Sequence, residues 1–139
     1  MRWFAAFNTL VLVGLSGLHV YWALGGRRGL TAALPAAPDG SLHLRPSAAL
    51  TALVAASLLA MGGLSAVPLV LGANAAPGWW RLAIAALAAL FALRAVGDFR
   101  YVGLSKRVHH TTFARLDTRY YTPLCLALAA SCAALVWAA

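Results

Sequence analysis

Apolar residues run through this chain in four long blocks, separated by short segments that hold nearly all of the charge. Each block is about 20 residues or longer, enough for an α-helix to cross ~30 Å of hydrocarbon at 1.5 Å rise per residue. The pattern predicts helices over residues 3–24, 47–71, 79–104 and 119–139. Pro46 sits just before the second, where a helix start tolerates proline. Asp117 or Thr118 is the expected N-cap of the fourth. Trp79 and Trp80 open the third block, Tyr120 and Tyr121 open the fourth, and Trp137 lies near its end. Aromatic residues at span ends suit membrane interfaces. The expected fold class is therefore all-α: one four-transmembrane-helix bundle over residues 1–139. Arg2 before an apolar stretch resembles a secretory leader. The run is long for one, and no clean small-x-small site follows Trp22, so it is read as a retained span.

Composition agrees with the pattern. The chain is 63% hydrophobic and only 10% charged, against about 25% charged in an ordinary soluble domain. Net charge is +8, from 11 Lys and Arg against 3 Asp and Glu. Such a balance invites a nucleic-acid reading, but the cations lie in short loops between apolar runs, where topology signals belong. The expected partners are instead membrane lipids, drawn to the basic loops, a small-molecule ligand, and further copies of the chain as a homo-oligomer. Arg27, Arg28 and Arg45 fall in the first loop, and Arg100, Lys106, Arg107, Arg115 and Arg119 in or beside the third. Only Arg2 and Arg81 fall on the other side. This bias places both longer loops in the cytoplasm and both termini on the outer side. Pro38-Asp39-Gly40 is a turn signal, so the flanks of the first loop are expected to pair as a small hairpin over the cytoplasmic mouth.

Cys125 and Cys132 are seven apart in one predicted helix, about 10 Å between Cα atoms. That is too far for a disulfide, so they are read as small packing residues. Gly14, Gly17, Gly62 and Gly63 suit close helix packing in lipid. Gly14 and Gly17 are three apart and do not make a GxxxG motif.

Chemistry is expected where ionisable residues enter the apolar blocks, because charge at membrane depth is costly and usually functional. Arg94 and Asp98 lie four apart in the third block and would neutralise each other on one helix face. Tyr101 and Ser105 extend that face. On the first helix Asn8 and His19 share a face about 20° wide, flanked by Trp22. His19 lies 16 residues beyond Trp3, and Arg94 and Asp98 lie 15 and 19 beyond Trp79, so their depths match in parallel helices. The fourth helix brings Tyr121 and Cys125 to a similar level. These residues predict a ligand-binding cluster of His19, Trp22, Arg94, Asp98, Tyr101 and Tyr121. A headgroup rim of Arg100, Lys106, Arg115 and Arg119 lies at the cytoplasmic face. The alternative is that the Arg94–Asp98 pair only orients helices, or that Arg94 snorkels to the interface. Arg115 and Arg119 flank Asp117, which predicts a charge-assisted network among the three. His109 and His110 lie in a loop without a third ligand at a telling spacing, so no metal and no cofactor are expected.

Four segments carry a family likeness: HVYWALGG (His19 to Gly26), LHLRP (Leu42 to Pro46) after the Pro-Asp-Gly turn, GDFRYVGLSKRV (Gly97 to Val108) and TTFARLDTRYYTPLC (Thr111 to Cys125). Together they resemble a bacterial family of small four-helix membrane proteins catalogued as a domain of unknown function. The matching positions are His19, Tyr21, Trp22, Asp98, Arg100, Tyr101, Lys106, Arg115, Asp117 and Arg119. Ser105 and His109-His110 depart from the family pattern. The resemblance implies a four-span protein of the bacterial cytoplasmic (inner) membrane and brings no activity with it.

Three functions are compatible with these features. The protein binds a small molecule or lipid headgroup in a polar intramembrane pocket near the cytoplasmic face. Alternatively it is a small intramembrane enzyme, an isomerase or lipid-modifying activity using His19 or Asp98 as acid or base. Or it is a structural or oligomeric subunit with no ligand. The chain lacks a nucleotide loop, a nucleophile elbow and a metal motif, which weighs against the enzyme.

Overall fold

The computed structural model describes residues 1–35, 46–72 and 75–138. The expected hairpin around Pro38-Asp39-Gly40 lies outside the described residues. The order is α1 (Arg2–Ala23), α2 (Leu30–Ala33), α3 (Ala48–Val70), α4 (Gly78–Val96), α5 (Thr112–Leu116), a π-helical turn (Asp117–Tyr121) and α6 (Thr122–Trp137). Among the described residues there is no strand. Helices α1, α3 and α4, and the continuous run Thr112–Trp137, are long and apolar enough to cross a membrane. The expected all-α fold forms among the described residues, with four helical segments that could span a membrane.

Two antiparallel pairs build it, α1 with α3 and α4 with α6. In the first pair, polar side chains of α1 reach carbonyls of α3: Thr9 Oγ1 donates to Gly62 at 3.3 Å and Ser16 Oγ to Ala55 at 2.8 Å. Gly62 lets the backbones close, since a Cβ there would stand 3.2 Å from Val13 Cγ2. Helices in lipid gain little from the hydrophobic effect and rely on such close packing and cross-helix hydrogen bonds. The pairs meet through α1 and α6. Asn8, fully buried, donates from Nδ2 to Cys132 Sγ at 3.3 Å and accepts from the Ser131 hydroxyl. Asn8 therefore serves the bundle centre rather than the His19 face. Leu12, Trp80, Ile84, Leu128 and Leu135 fill the core around it.

Pro68, inside α3, has no N–H to give to the Leu64 carbonyl four residues back. That carbonyl is taken by the buried Trp80 indole, whose Nε1 donates at 2.8 Å. Arg81, one residue on, donates from Nη2 to the carbonyl of Val136 at the end of α6, at 3.0 Å. The start of α4 thus satisfies orphan backbone groups on both of its neighbours.

The third helix is shorter than its apolar run suggests. It ends at Val96, not Leu104, because Gly97 adopts φ +92°, a left-handed conformation that ends helices and favours glycine. The fourth starts earlier than expected. Thr111, not Asp117 or Thr118, is the cap, its Oγ1 accepting from Ala114 N at 3.1 Å, and Asp117 falls inside the helical run. The π-helical turn follows directly. Pro123, in the first turn of α6, removes the N–H that would bond back to Arg119, and the ladder widens by one residue just before it.

Candidate functional site

The loop after α4 folds flat onto the end of that helix. Leu104 N donates to Ala95 at 2.8 Å and Ser105 N to Val96 at 3.1 Å, and Ser105 Oγ also bonds Val96 at 2.6 Å. These bonds satisfy carbonyls that a helix end leaves without partners. The fold-back brings Gly103 (φ +82°) against Gly97. A Cβ on Gly103 would lie 2.6 Å from the Ala95 carbonyl oxygen, and one on Gly97 would overlap the Val102 carbonyl.

Asp98 holds this loop rather than a helix face. Its Oδ1 accepts from the backbone N–H of Arg100 (2.9 Å), Tyr101 (2.7 Å) and Val102 (2.9 Å). Partial burial would raise its pKa, but these N–H bonds outweigh it and hold the carboxyl below 3.8. The expected Arg94–Asp98 pair does not form. Once α4 ends at Val96, the two residues no longer share a helix, and the nearer donors are the loop's own amides.

Arg94 pairs instead with Asp117, 23 residues on, Nη2 to Oδ1 at 2.9 Å. Lys106 reaches the other oxygen, Nζ to Oδ2 at 3.0 Å. Gly103 N (2.8 Å) and Thr122 Oγ1 (3.1 Å) also donate to Oδ2. Asp117 is 0% exposed, and its carboxylate ties together α4, the following loop and α6. The π-helical turn starts at Asp117 and carries Thr122 back to it. Lys106 is buried too, and its ammonium also donates to the Gly103 carbonyl at 2.8 Å. Two cations thus share one carboxylate. The Arg94 side chain is 34% exposed, yet its Nη1 is buried and has no partner among the described residues.

The other expected site residues are distributed around this hub. His19 Nδ1 bonds the carbonyl of Leu15 on its own helix at 2.8 Å and its ring meets Trp22 edge-on, centroids 5.0 Å apart. Trp22 Nε1 donates to the Arg28 carbonyl at 2.9 Å. No hydrogen bond, ion pair or ring contact among the described residues joins His19 to Arg94, Asp98 or Tyr121. Tyr121, at the end of the π-helical turn, donates its hydroxyl to the Ala32 carbonyl at 3.3 Å and packs on Phe113. It therefore links α2 to the fourth span. Tyr101 is buried, with Arg100 over its ring at 5.1 Å. Of the expected rim, Arg100, Arg115 and Arg119 are exposed, and Arg119 lies over the Tyr120 ring at 5.3 Å. Lys106 is drawn inward to Asp117. The expected Arg115–Asp117–Arg119 network is absent for the same reason. On a helix starting at Thr112, Asp117 turns inward and its two sequence neighbours turn outward. No group of three His, Cys, Asp or Glu converges among the described residues.

Residues 12–132 match the family model described as protein of unknown function DUF3995. The chain belongs to the DUF3995 family. No curated protein and no solved structure matches it. This DUF3995 protein, with its four apolar helices, is a multi-pass membrane protein.

Asp117 is absent from the expected ligand cluster, the sequence pointing to a cap or a network with Arg115 and Arg119. The signal was present. It is one of three acids facing eleven cations, and Thr111-Thr112 offered an earlier cap that would carry it into the span.

Proposed function

We propose that this protein binds an anion-bearing small molecule or lipid headgroup at Arg94, beside the Asp117 hub. The observation that carries the reading is the charge imbalance: two cations on one carboxylate, with a buried Arg94 nitrogen left over. An uncompensated cation at this depth is costly. A phosphate or carboxylate accepting charge-assisted bonds from the guanidinium offsets that cost. The partial exposure of Arg94 gives such a group access, and the exposed Arg100, Arg115 and Arg119 would attract it. In this reading the charged loops face the cytoplasm of a bacterium, the termini face outward, and the membrane is the inner one.

The shared chemistry is an anionic oxygen group, from a phospholipid or a soluble metabolite. Native mass spectrometry of protein in phosphatidylglycerol nanodiscs, and in detergent with added inorganic phosphate, separates the two sources. The expected result is an adduct on the wild type that Arg94→Gln reduces about tenfold, the scale of one charge-assisted contact. An adduct in nanodiscs alone assigns a lipid. A second reading, a purely structural fastening, is favoured by the saturation of Asp117 with four donors. It expects no phosphate adduct and no lipid lost on Arg94→Gln, whose effect is then on stability alone. That outcome would overturn the binding proposal.

A further inference from the structure

At the opposite end of the α4–α6 pair, a cavity of about 400 Å³ opens along the seam, lined by Arg81, Ala85, Ala88, Ala133, Val136 and Trp137. Arg81, Ala85 and Ala88 follow i, i+4, i+7 spacing and share one face of α4. Ala133 and Val136, three apart, share one face of α6. Seven residues of helix make the slot about 10 Å long, running from the helix end toward the bundle middle.

Trp79 and Trp137, 62% and 91% exposed, stand at the level of its mouth. Exposed indoles at span ends mark the headgroup level. The slot therefore has a guanidinium at headgroup depth and an apolar floor reaching into the hydrocarbon. Arg81 gives one N–H to Val136, while a guanidinium carries five, and the residue is exposed.

We propose that this slot holds one phospholipid of the leaflet on the side of the chain ends, its phosphate on Arg81 and an acyl chain against Ala85, Ala88 and Ala133. A soluble anion would make no use of the apolar floor. A second copy in the same orientation would bring no acidic side chain of the described residues to Arg81. Asp98 follows α4 and Asp117 precedes α6, both at the other end of the bundle. A lipid phosphate supplies the missing charge, and its chain supplies the apolar filling.

The test uses the full chain in phosphatidylglycerol and phosphatidylethanolamine nanodiscs, released into mild detergent and weighed by native mass spectrometry. Ala88→Phe fills the slot and leaves the Arg81–Val136 bond in place; Arg81→Gln removes the charge. Each is expected to lower retention of one phospholipid about tenfold, with helical circular dichroism unchanged. Arg94→Gln leaves this lipid in place, which separates the slot from the Asp117 hub. Retention unaffected by both slot variants would overturn the proposal. So would an Ala88→Phe variant that turns a dimer into a monomer while keeping its lipid, because the slot would then belong to a second copy.

Discussion

The two ends of the α4–α6 pair face one physical problem and solve it differently. At the α4 start, carbonyls left open by Pro68 and by the end of α6 are met by the Trp80 indole and the Arg81 guanidinium. Each bond is local and leaves no buried charge behind. At the α4 end, the Gly103 amide, Arg94 and Lys106 converge on one buried carboxylate. That solution joins three segments at once, but it encloses more positive than negative charge. The contrast teaches how each end carries its spare positive charge. At the indole end the open carbonyls are met and the Arg81 charge stays exposed, whereas at the carboxylate end the surplus cation is enclosed with the hub.

Removing the carboxylate should break the comparison most severely. Asp117→Ala leaves Arg94, Lys106 and the Gly103 amide without their shared acceptor. Losing one partner of a buried ion pair costs about 3–5 kcal/mol. Reversible unfolding in detergent should show a loss on that scale, with the 97–111 loop becoming protease-sensitive. A loss below about 1 kcal/mol would mean the hub is not what holds this end.

The indole end should respond less. Trp80→Phe keeps most of the ring's packing but orphans the Leu64 carbonyl, a penalty of about 1–3 kcal/mol. The same unfolding measurement should place it between wild type and Asp117→Ala. Equal losses at both ends would erase the distinction between neutral and ionic fastening.

The smallest effect is a pH dependence confined to the charged end. The folded pKa of Asp98 is depressed below its ordinary 3.8. Its contribution is therefore complete above that value and is lost as pH falls through the folded pKa. Hydrogen exchange of the Arg100, Tyr101 and Val102 amides, with the intrinsic acid dependence removed, should lose protection below about pH 4 in wild type. In Asp98→Asn these amides should show no such step, and amides near Trp80 should show none in either protein.

What could be read directly from the sequence was whatever depends on local sums. Hydropathy over some twenty residues gave the four spans, and the aromatic positions marked their ends. Arg94 stands out in the sequence as an ionisable residue in an apolar run. Its partner was not legible. Helical spacing favoured Asp98, but a single left-handed glycine, Gly97, ends α4 before that residue and gives its carboxylate to the loop amides. The helix boundary moved by eight residues, and every face drawn beyond it dissolved.

Membrane spanning is thus a property this sequence determines by itself, because burial in lipid depends only on what each segment is made of. The ion pair was decided by tertiary structure alone. Arg94 and Asp117 are 23 residues apart, and they meet only because the loop folds back and α6 packs along α4. In a low-dielectric interior a carboxylate takes whichever cations the packing brings within 3 Å, and no spacing rule along the chain names them.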